Sequence, residues 1–561
     1  MFFDFFESVL EKEIEMGNFF EVVVESLEPR TFLSGVTVIT HGMQTGKMPV
    51  WENLMAESIA ERIEEHTGQA PSMYTLTING KGGSLTLDEG SALPWMTGNV
   101  VVKVDWSSLS RKAGKAPLVG KQVASRLLGT PTDETANHPF AEMPLHFIGH
   151  SRGVYVNSAT IVELGQRGIW TDQATTLDAQ GFGKDGALKT WSTTRFADNY
   201  YQQGKVETPA GFSIRGTTEK NLVSMSGFRS VPVATRHGRV HALYHGTIDI
   251  WNQKADGHAI QSRAWYGISR GNQPSYGFNF SRYIGGARPK SGLATAGAYR
   301  ERLLVGGLSL SPSEVWSNVE ITSTDLSHTD RGEVEVFLRA RDWDDESELI
   351  LGLDTDDNPY NGRTELKSLT EDQFSGNDEV FSETLTSQTT GYGNYYVFAK
   401  IDDGEHVRFA YSQRAVYLTD YVAGPPRNDM YADRIRLTGK HVTAEGSNVN
   451  ATSEPYEPYI LHMLGQRRSL WWSWQAPENG RVTITAIGSG FRTRLAAYNG
   501  YPLTLNHSTY AEDSGYVSEI SFFVSRGSSY EICVDGYPTV FPTSFESASG
   551  DISLFIDWSE T

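Results

Sequence analysis

Five consecutive residues, Gly149-His150-Ser151-Arg152-Gly153, carry the strongest chemical signal in this chain. They follow the apolar run Leu145-His146-Phe147-Ile148 and precede a helix-like stretch, Val154 to Gln166. A serine on a strand-to-helix turn sits where the backbone is sharp and strained. The flanking glycines remove the side-chain volume that would hold strand and helix apart. Such a turn presents a hydroxyl at the carboxyl edge of a parallel sheet. The hydroxyl becomes a nucleophile only when an imidazole takes its proton and an acid orients that imidazole. Two backbone N–H groups must also face the developing oxyanion.

Asp178 closes the strand Ala174-Thr175-Thr176-Leu177-Asp178, the next strand after the elbow and its helix. Open parallel sheets gather functional groups at the carboxyl ends of their strands, so this carboxylate is the expected acid. Asp198, in Phe196-Ala197-Asp198-Asn199-Tyr200-Tyr201, is the alternative. The segment Arg236 to Gly246 offers three histidines, His237, His241 and His245, spaced to share one helix face. His237 precedes the helix-like run and is followed by Gly238, which suits a ring that swings from a loop. It is favoured, with His241 as the alternate and His245 a distant third. The histidines not used are read as surface or helix-packing residues. No metal is expected on this stripe, because no carboxylate ligand lies nearby and zinc needs closer convergence. The expected oxyanion donors are the N–H of Arg152, at the positive end of the elbow helix, and that of Met43. Met43 follows His41-Gly42, where the missing Cβ lets backbone approach a substrate.

These residues need a scaffold. Val36-Thr37-Val38-Ile39-Thr40 reads as a short strand, Trp51 to His66 as a helix, and Asn99 to Trp106 as a strand buried on both faces. A second helix is expected over Leu118 to Leu128. Strands alternating with helices imply a mostly parallel sheet covered by helices on both faces. Thr75 to Trp95 and Lys184 to Arg195 read as loops that would shape substrate access, with conformations left open.

The domain resembles the secreted lipase and esterase branch of the α/β-hydrolases over about residues 35–260. The likeness rests on His41-Gly42, the strand ending Val104-Asp105-Trp106, the Gly149 to Gly153 turn with histidine before serine, Thr176-Leu177-Asp178, and His237-Gly238-Arg239 through Tyr244. It implies an α/β-hydrolase fold and a Ser151, Asp178, His237 triad in that chain order. Ala179 stands where the family has proline.

Beyond about residue 285 the pattern turns to short strands between polar turns, such as Glu333 to Leu338, Tyr395 to Ile401 and Arg481 to Ala486. Gly424-Pro425-Pro426 reads as a linker. The expected organisation is therefore an N-terminal segment 1–34, a catalytic domain 35–285, an Ig-like β-sandwich 298–423 and a second β-sandwich 427–561. The last resembles the bacterial pre-peptidase C-terminal domain. That likeness is carried by Asn450-Ala451-Thr452, Leu470 to Pro477, Leu495 to Gly500 and Tyr530 to Gly536. It implies an accessory role outside the cell. Trp471, Trp472 and Trp474 could form a sugar-stacking platform, but strand alternation splits them between two faces and favours core packing. Asp354, Asp356, Asn358 and Glu365 fall at calcium-loop spacings, although Pro359 replaces the required glycine and a hairpin turn is the simpler reading.

Composition sets limits. At 561 residues, roughly two to four domains are expected. A formal charge of −20 disfavours nucleic-acid binding. The single cysteine, Cys533, excludes an intramolecular disulfide and reads as a buried small hydrophobe. No apolar run is long enough to span a membrane. Glu25 to Ser34 includes Leu27-Glu28-Pro29-Arg30, which resembles a motif of exported bacterial surface proteins. The expectation is a secreted or cell-surface bacterial serine hydrolase that needs no cofactor and cleaves a small-molecule or polymer-borne carboxylic ester. Its β-modules are expected to touch a cell surface or polysaccharide. The alternatives are an amidase or peptidase using the same triad, and a non-catalytic surface adhesin on a degenerate scaffold.

Overall fold

A computed structural model describes residues 35–90, 98–129, 138–203, 211–225, 233–250, 266, 275–281, 287–294, 299–306, 310–342, 347–370, 373–374, 380–419, 424–454, 457, 468–499, 504–510, 516–541 and 544–560. The export-like motif within residues 1–34 lies outside them.

The first unit is built on one eight-stranded sheet. Its strands are β1 (Gly35–Thr40), β2 (Ser72–Ile78), β3 (Gly83–Glu89), β4 (Asn99–Asp105), β5 (Leu145–His150), β6 (Thr171–Leu177), β7 (Thr194–Tyr201) and β8 (Thr218–Asn221). Their order is β3-β2-β4-β1-β5-β6-β7-β8. Every pairing is parallel except β2 with β3. Runs such as Val100-Val101-Val102 are β-branched and buried on both faces, as a central parallel strand requires.

Helices cover both faces. α1 (Val50–Thr67) and α4 (Val233–His245) pack one core with Ile39, Leu177 and Tyr200. α2 (Ala116–Leu128) and α3 (Gly153–Gln166) pack the other with Val36, Val38 and Phe147. α2 buries Ala116, Val119, Gly120, Val123, Ala124 and Leu127, one stripe at helical spacing. A Cβ on Gly120 would lie 2.5 Å from that of Ala159, so glycine permits the close approach of α2 and α3. Each large aliphatic side chain withdrawn from water in these cores contributes about 1.5–3 kcal/mol.

Two expectations need correcting. The span Thr75 to Trp95 is not simply a loop, because most of it forms the β2–β3 hairpin at the sheet edge. Nor does a helix join every pair of strands, since the described residues of the β6–β7 and β7–β8 connections contain none.

Two β-rich units follow. The first has a sheet of β9 (Asn318–Asp325), β10 (Glu333–Arg341) and β13 (Val380–Thr386). It faces a sheet of β11 (Glu348–Asp354), β12 (Thr364–Thr370), β14 (Gly393–Asp402), β15 (Val407–Tyr411) and β16 (Val416–Leu418) across one core. The second, between Ile435 and Ser559, stacks a five-stranded sheet on a four-stranded one.

Trp472 and Trp474 belong to the inter-sheet core and Trp471 to a separate cluster on the opposite face. All three are buried, which removes them as a sugar platform. Cys533 is buried beside Trp471. The Asp354 to Glu365 segment is the β11–β12 hairpin connection. Asp354, Asp356 and Asn358 each accept the N–H two residues on, at 3.2, 2.9 and 3.1 Å. Among the described residues, no group of three or more His, Cys, Asp or Glu side chains is arranged to hold a metal ion.

The middle unit is fastened to the amino end of the first sheet. Trp170 N donates to Asn318 Oδ1 at 3.0 Å, and Trp316 N to Arg167 O at 2.8 Å. Tyr360 Oη donates to Glu142 Oε2 at 3.0 Å, and Arg408 reaches the carbonyls of Ala141 and Trp170.

Candidate active site

Strand register assembles the site. Thr40 pairs with Gly149, Gly149 with Thr176, and His150 with Leu177. The residues that follow, His41-Gly42, Ser151 and Asp178, therefore leave the sheet at one level on its carboxyl edge. The chain also switches direction there. β1 leads to α1 on one face, while β5 leads to α3 on the other, which opens a crevice between them.

Ser151 has φ +57, a conformation that costs a non-glycine residue on the order of 1 kcal/mol or more. Its surroundings enforce it. A Cβ on Gly153 would lie 2.2 Å from Thr40 O, and one on Gly149 would lie 2.9 Å from Val154 Cα. Both glycines are thus required for the tight strand–helix junction. Ser151 N donates to Leu177 O at 2.9 Å, and Gln180 N to Ser151 O at 3.2 Å, tying the turn to the loop that carries Asp178.

Asp178 is fully buried, with φ +47. Its Oδ1 accepts Gln202 N at 3.0 Å and Gly211 N at 2.9 Å. Its Oδ2 accepts His237 Nδ1 at 2.6 Å. Because a carboxylate accepts here, Nδ1 carries the proton and Nε2 is left unprotonated in the neutral ring.

His237 lies inside α4, not on a loop before it as the sequence reading expected, for the helix starts at Val233 and runs through Gly238. The ring is held from behind. His150 Nε2 donates to His237 O at 3.1 Å, and the two imidazole centroids lie 4.6 Å apart. His241 stacks on Trp51 at 4.4 Å, and His245 shares a hydrogen bond with Ser58 at 2.8 Å. Both are buried helix-packing residues. Asp198 belongs to another network. It is buried within β7, accepts Thr175 Oγ1 at 2.7 Å and Gln173 Nε2 at 3.2 Å, and its carboxyl is pushed up to about 6 by that burial.

Gly42 lies against Ser151, since a Cβ there would be 2.9 Å from Ser151 Oγ. The adjoining loop is braced. His41 Nδ1 donates to Gly42 O at 2.7 Å, and Trp106 Nε1 to His41 O at 2.8 Å. The nearby His41 ring, whose Nε2 lies 3.7 Å from Asp105 Oδ1, is the main cause that holds the Asp105 carboxyl down at about 2. Met43 is exposed beside Gly42. No hydrogen bond joins Ser151 Oγ to His237 in this conformation.

Sequence reasoning missed three supports: the His150–His237 contact, the Gln202 and Gly211 donors to Asp178, and the Arg152 side chain. Arg152 is completely buried and forms a two-pronged ion pair with Asp185, both contacts at 2.6 Å. Only an arginine beside the serine was visible as a signal; its partner lies in a loop whose course the sequence does not reveal.

A scan against family models and a search of curated proteins found no match. Solved structures share portions of the chain. A pre-peptidase C-terminal domain of a Bacillus anthracis collagenase is 12% identical, spans 22% of this chain and 94% of that one, and has a TM-score of 0.16. A candidate cell surface hydrolase from Lactobacillus plantarum is 10% identical, spans 41% and 95%, and has a TM-score of 0.24. The CsCBM6-3 structure from Clostridium stercorarium, in complex with cellobiose, is 14% identical, spans 23% and 98%, and has a TM-score of 0.13. At these values none of the likenesses assigns a fold or an activity to the chain.

Proposed function

We propose that the chain is an α/β-hydrolase that cleaves carboxylic esters through an acyl-enzyme on Ser151. The observation that carries this reading is the strained serine at the same carboxyl edge of the sheet as a buried Asp178 that accepts a hydrogen bond from His237. His237 Nε2 takes the Ser151 proton as Oγ attacks the ester carbonyl. It then returns the proton to the leaving alcohol, and water repeats the cycle on the acyl-enzyme. Asp178 fixes the Nδ1–H tautomer and stabilises the imidazolium. The N–H groups of Met43 and Arg152 receive the oxyanion. The Ser151–His237 hydrogen bond forms as substrate seats, in keeping with apo sites whose catalytic contacts tighten only on binding.

Among the described residues no helix is long and apolar enough to cross a membrane. In this reading the enzyme acts outside the cell, and its β-modules hold it on a surface or a polysaccharide. A fluorophosphonate probe tests the core of the proposal. Wild type should be labelled and Ser151→Ala should not. Absence of labelling and of ester turnover in folded wild type refutes the enzyme and leaves an adhesin.

A further inference from the structure

We infer that Arg152 is a positioning residue whose side chain sets the geometry of the oxyanion hole, while its own backbone N–H serves as one of the two donors. This rests on the ester-hydrolase reading above.

The side chain leaves the residue next to the nucleophile and enters a closed compartment between two loops. Nε and Nη2 meet the two oxygens of Asp185. Nη1 donates to Ser110 O at 2.6 Å and Nη2 to Lys112 O at 2.8 Å. The guanidinium lies 5.3 Å from the Trp106 ring centroid and 5.4 Å from that of Phe182. Asp185 also accepts Phe182 N at 2.8 Å. One planar fork thus ties together the nucleophile turn, the segment after β4 and the segment after Asp178.

A second link reaches the other donor. Ser110, whose carbonyl Arg152 holds, accepts Gln44 N on its hydroxyl at 2.8 Å. Gln44 immediately follows Met43. The path from Arg152 through Ser110 to Gln44 therefore runs between the two proposed oxyanion donors. Trp106 adds a parallel brace, since it lies beside the guanidinium and donates to His41 O.

A fully desolvated ion pair is weak evidence for stability, because well-packed apolar residues often do as well. What an apolar pair cannot supply is a planar set of donors that fixes several carbonyls at once. Lysine cannot supply it either, having a point charge in place of the fork. The arrangement acts on where the donors stand, and donor placement governs transition-state affinity more than ground-state binding.

The test uses the full chain with Ser110→Ala, Arg152→Lys and Asp185→Asn. Each is assayed for kcat and KM on a chromogenic ester, for affinity toward a trifluoromethyl ketone that forms a hemiketal on serine, and for melting temperature. Ser110→Ala removes the hydroxyl's bonds to Gln44 and to Ser107 O, keeps the carbonyl that Arg152 holds, and should fold normally. The expected result for Ser110→Ala and Arg152→Lys is a kcat loss of about 10- to 100-fold, with KM changed less than about threefold. Ketone affinity should weaken in parallel with kcat, even in variants whose melting temperature is unchanged. Wild-type kcat and ketone affinity in Ser110→Ala and Arg152→Lys overturn the inference. So does a loss of activity that merely follows the unfolded fraction. If wild type is labelled by fluorophosphonate while these variants match it, this inference fails alone. If wild type is neither labelled nor active, the hydrolase reading falls and takes this inference with it.

Discussion

Asp178 receives His237 Nδ1–H on one carboxylate oxygen and the backbone N–H groups of Gln202 and Gly211 on the other. The backbone donors fix which oxygen is left for the imidazole. Asp178→Asn should keep this frame but present an amide, which does not favour the Nδ1–H tautomer. The expected loss is about 10⁴-fold in kcat with little change in melting temperature. A kcat within tenfold of wild type would remove Asp178 as the orienting acid.

The alternate histidine is decided by a paired comparison. His237→Gln should lose about 10³-fold or more in kcat, because among the described residues no other ring is bonded to Asp178. His241→Gln gives up the stack on Trp51 and should lower the melting temperature, with kcat per folded molecule unchanged within about threefold. Equal losses of kcat in the two variants would contradict the assignment.

Strain at the nucleophile gives a stability prediction of opposite sign to the activity prediction. Ser151 stands at φ +57, which glycine adopts without steric cost. Ser151→Gly should abolish fluorophosphonate labelling and raise stability by up to about 1 kcal/mol. Thermal unfolding of both proteins measures it, and a clearly destabilised glycine variant would show that the turn is not strained.

Gly42 and Gly153 are both intolerant, for different reasons. A Cβ at Gly42 would meet Ser151 itself, at 2.6 Å from Cβ and 2.9 Å from Oγ. Gly42→Ala should therefore lose most activity while remaining folded. A Cβ at Gly153 would meet the backbone oxygens of Thr40 and His41 at 2.2 and 2.6 Å. Gly153→Ala should fail to accumulate as folded protein, judged by soluble yield and circular dichroism.

Acidity acts on the interface of the middle unit. Burial, helped by the charge of Asp356, pushes the Asp357 carboxyl up to about 7. Between the ordinary carboxylate range and about pH 7, the fold retains a proton that the unfolded chain has released. Stability contributed by this group therefore falls as pH rises through that window and is level above it. Asp354 and Asp198, both raised to about 6 chiefly by burial, act with the same sign. Asp357→Asn should lessen the drop in melting temperature between pH 5 and pH 8. An unaltered drop would show that Asp357 titrates normally.

Local chemistry was the legible part of this chain. Gly149 to Gly153 could be read because the pattern and its strand and helix flanks are contiguous in sequence, and β4 because valines filling both faces fit only a covered strand. Contacts over long separations could not be read. Arg152 and Asp185 lie 33 residues apart, and Asp185 stands in the irregular segment after Asp178, which has no local pattern. His237 was placed before its helix because Gly238 looks like a break, yet burial of Val240, Leu243 and Tyr244 against α1 and the sheet carries the helix through it. The β2–β3 hairpin had a usable signal, Asn79-Gly80 between alternating residues, which the reading passed over.

Arg408, Trp316 and Tyr360 seal the floor of the eight-stranded sheet, the end remote from Ser151. A molecule tethered through its downstream modules would keep its reactive rim pointing away from the seal. Under the proposed function, substituents on a bulky substrate would project outward without colliding with the seal itself.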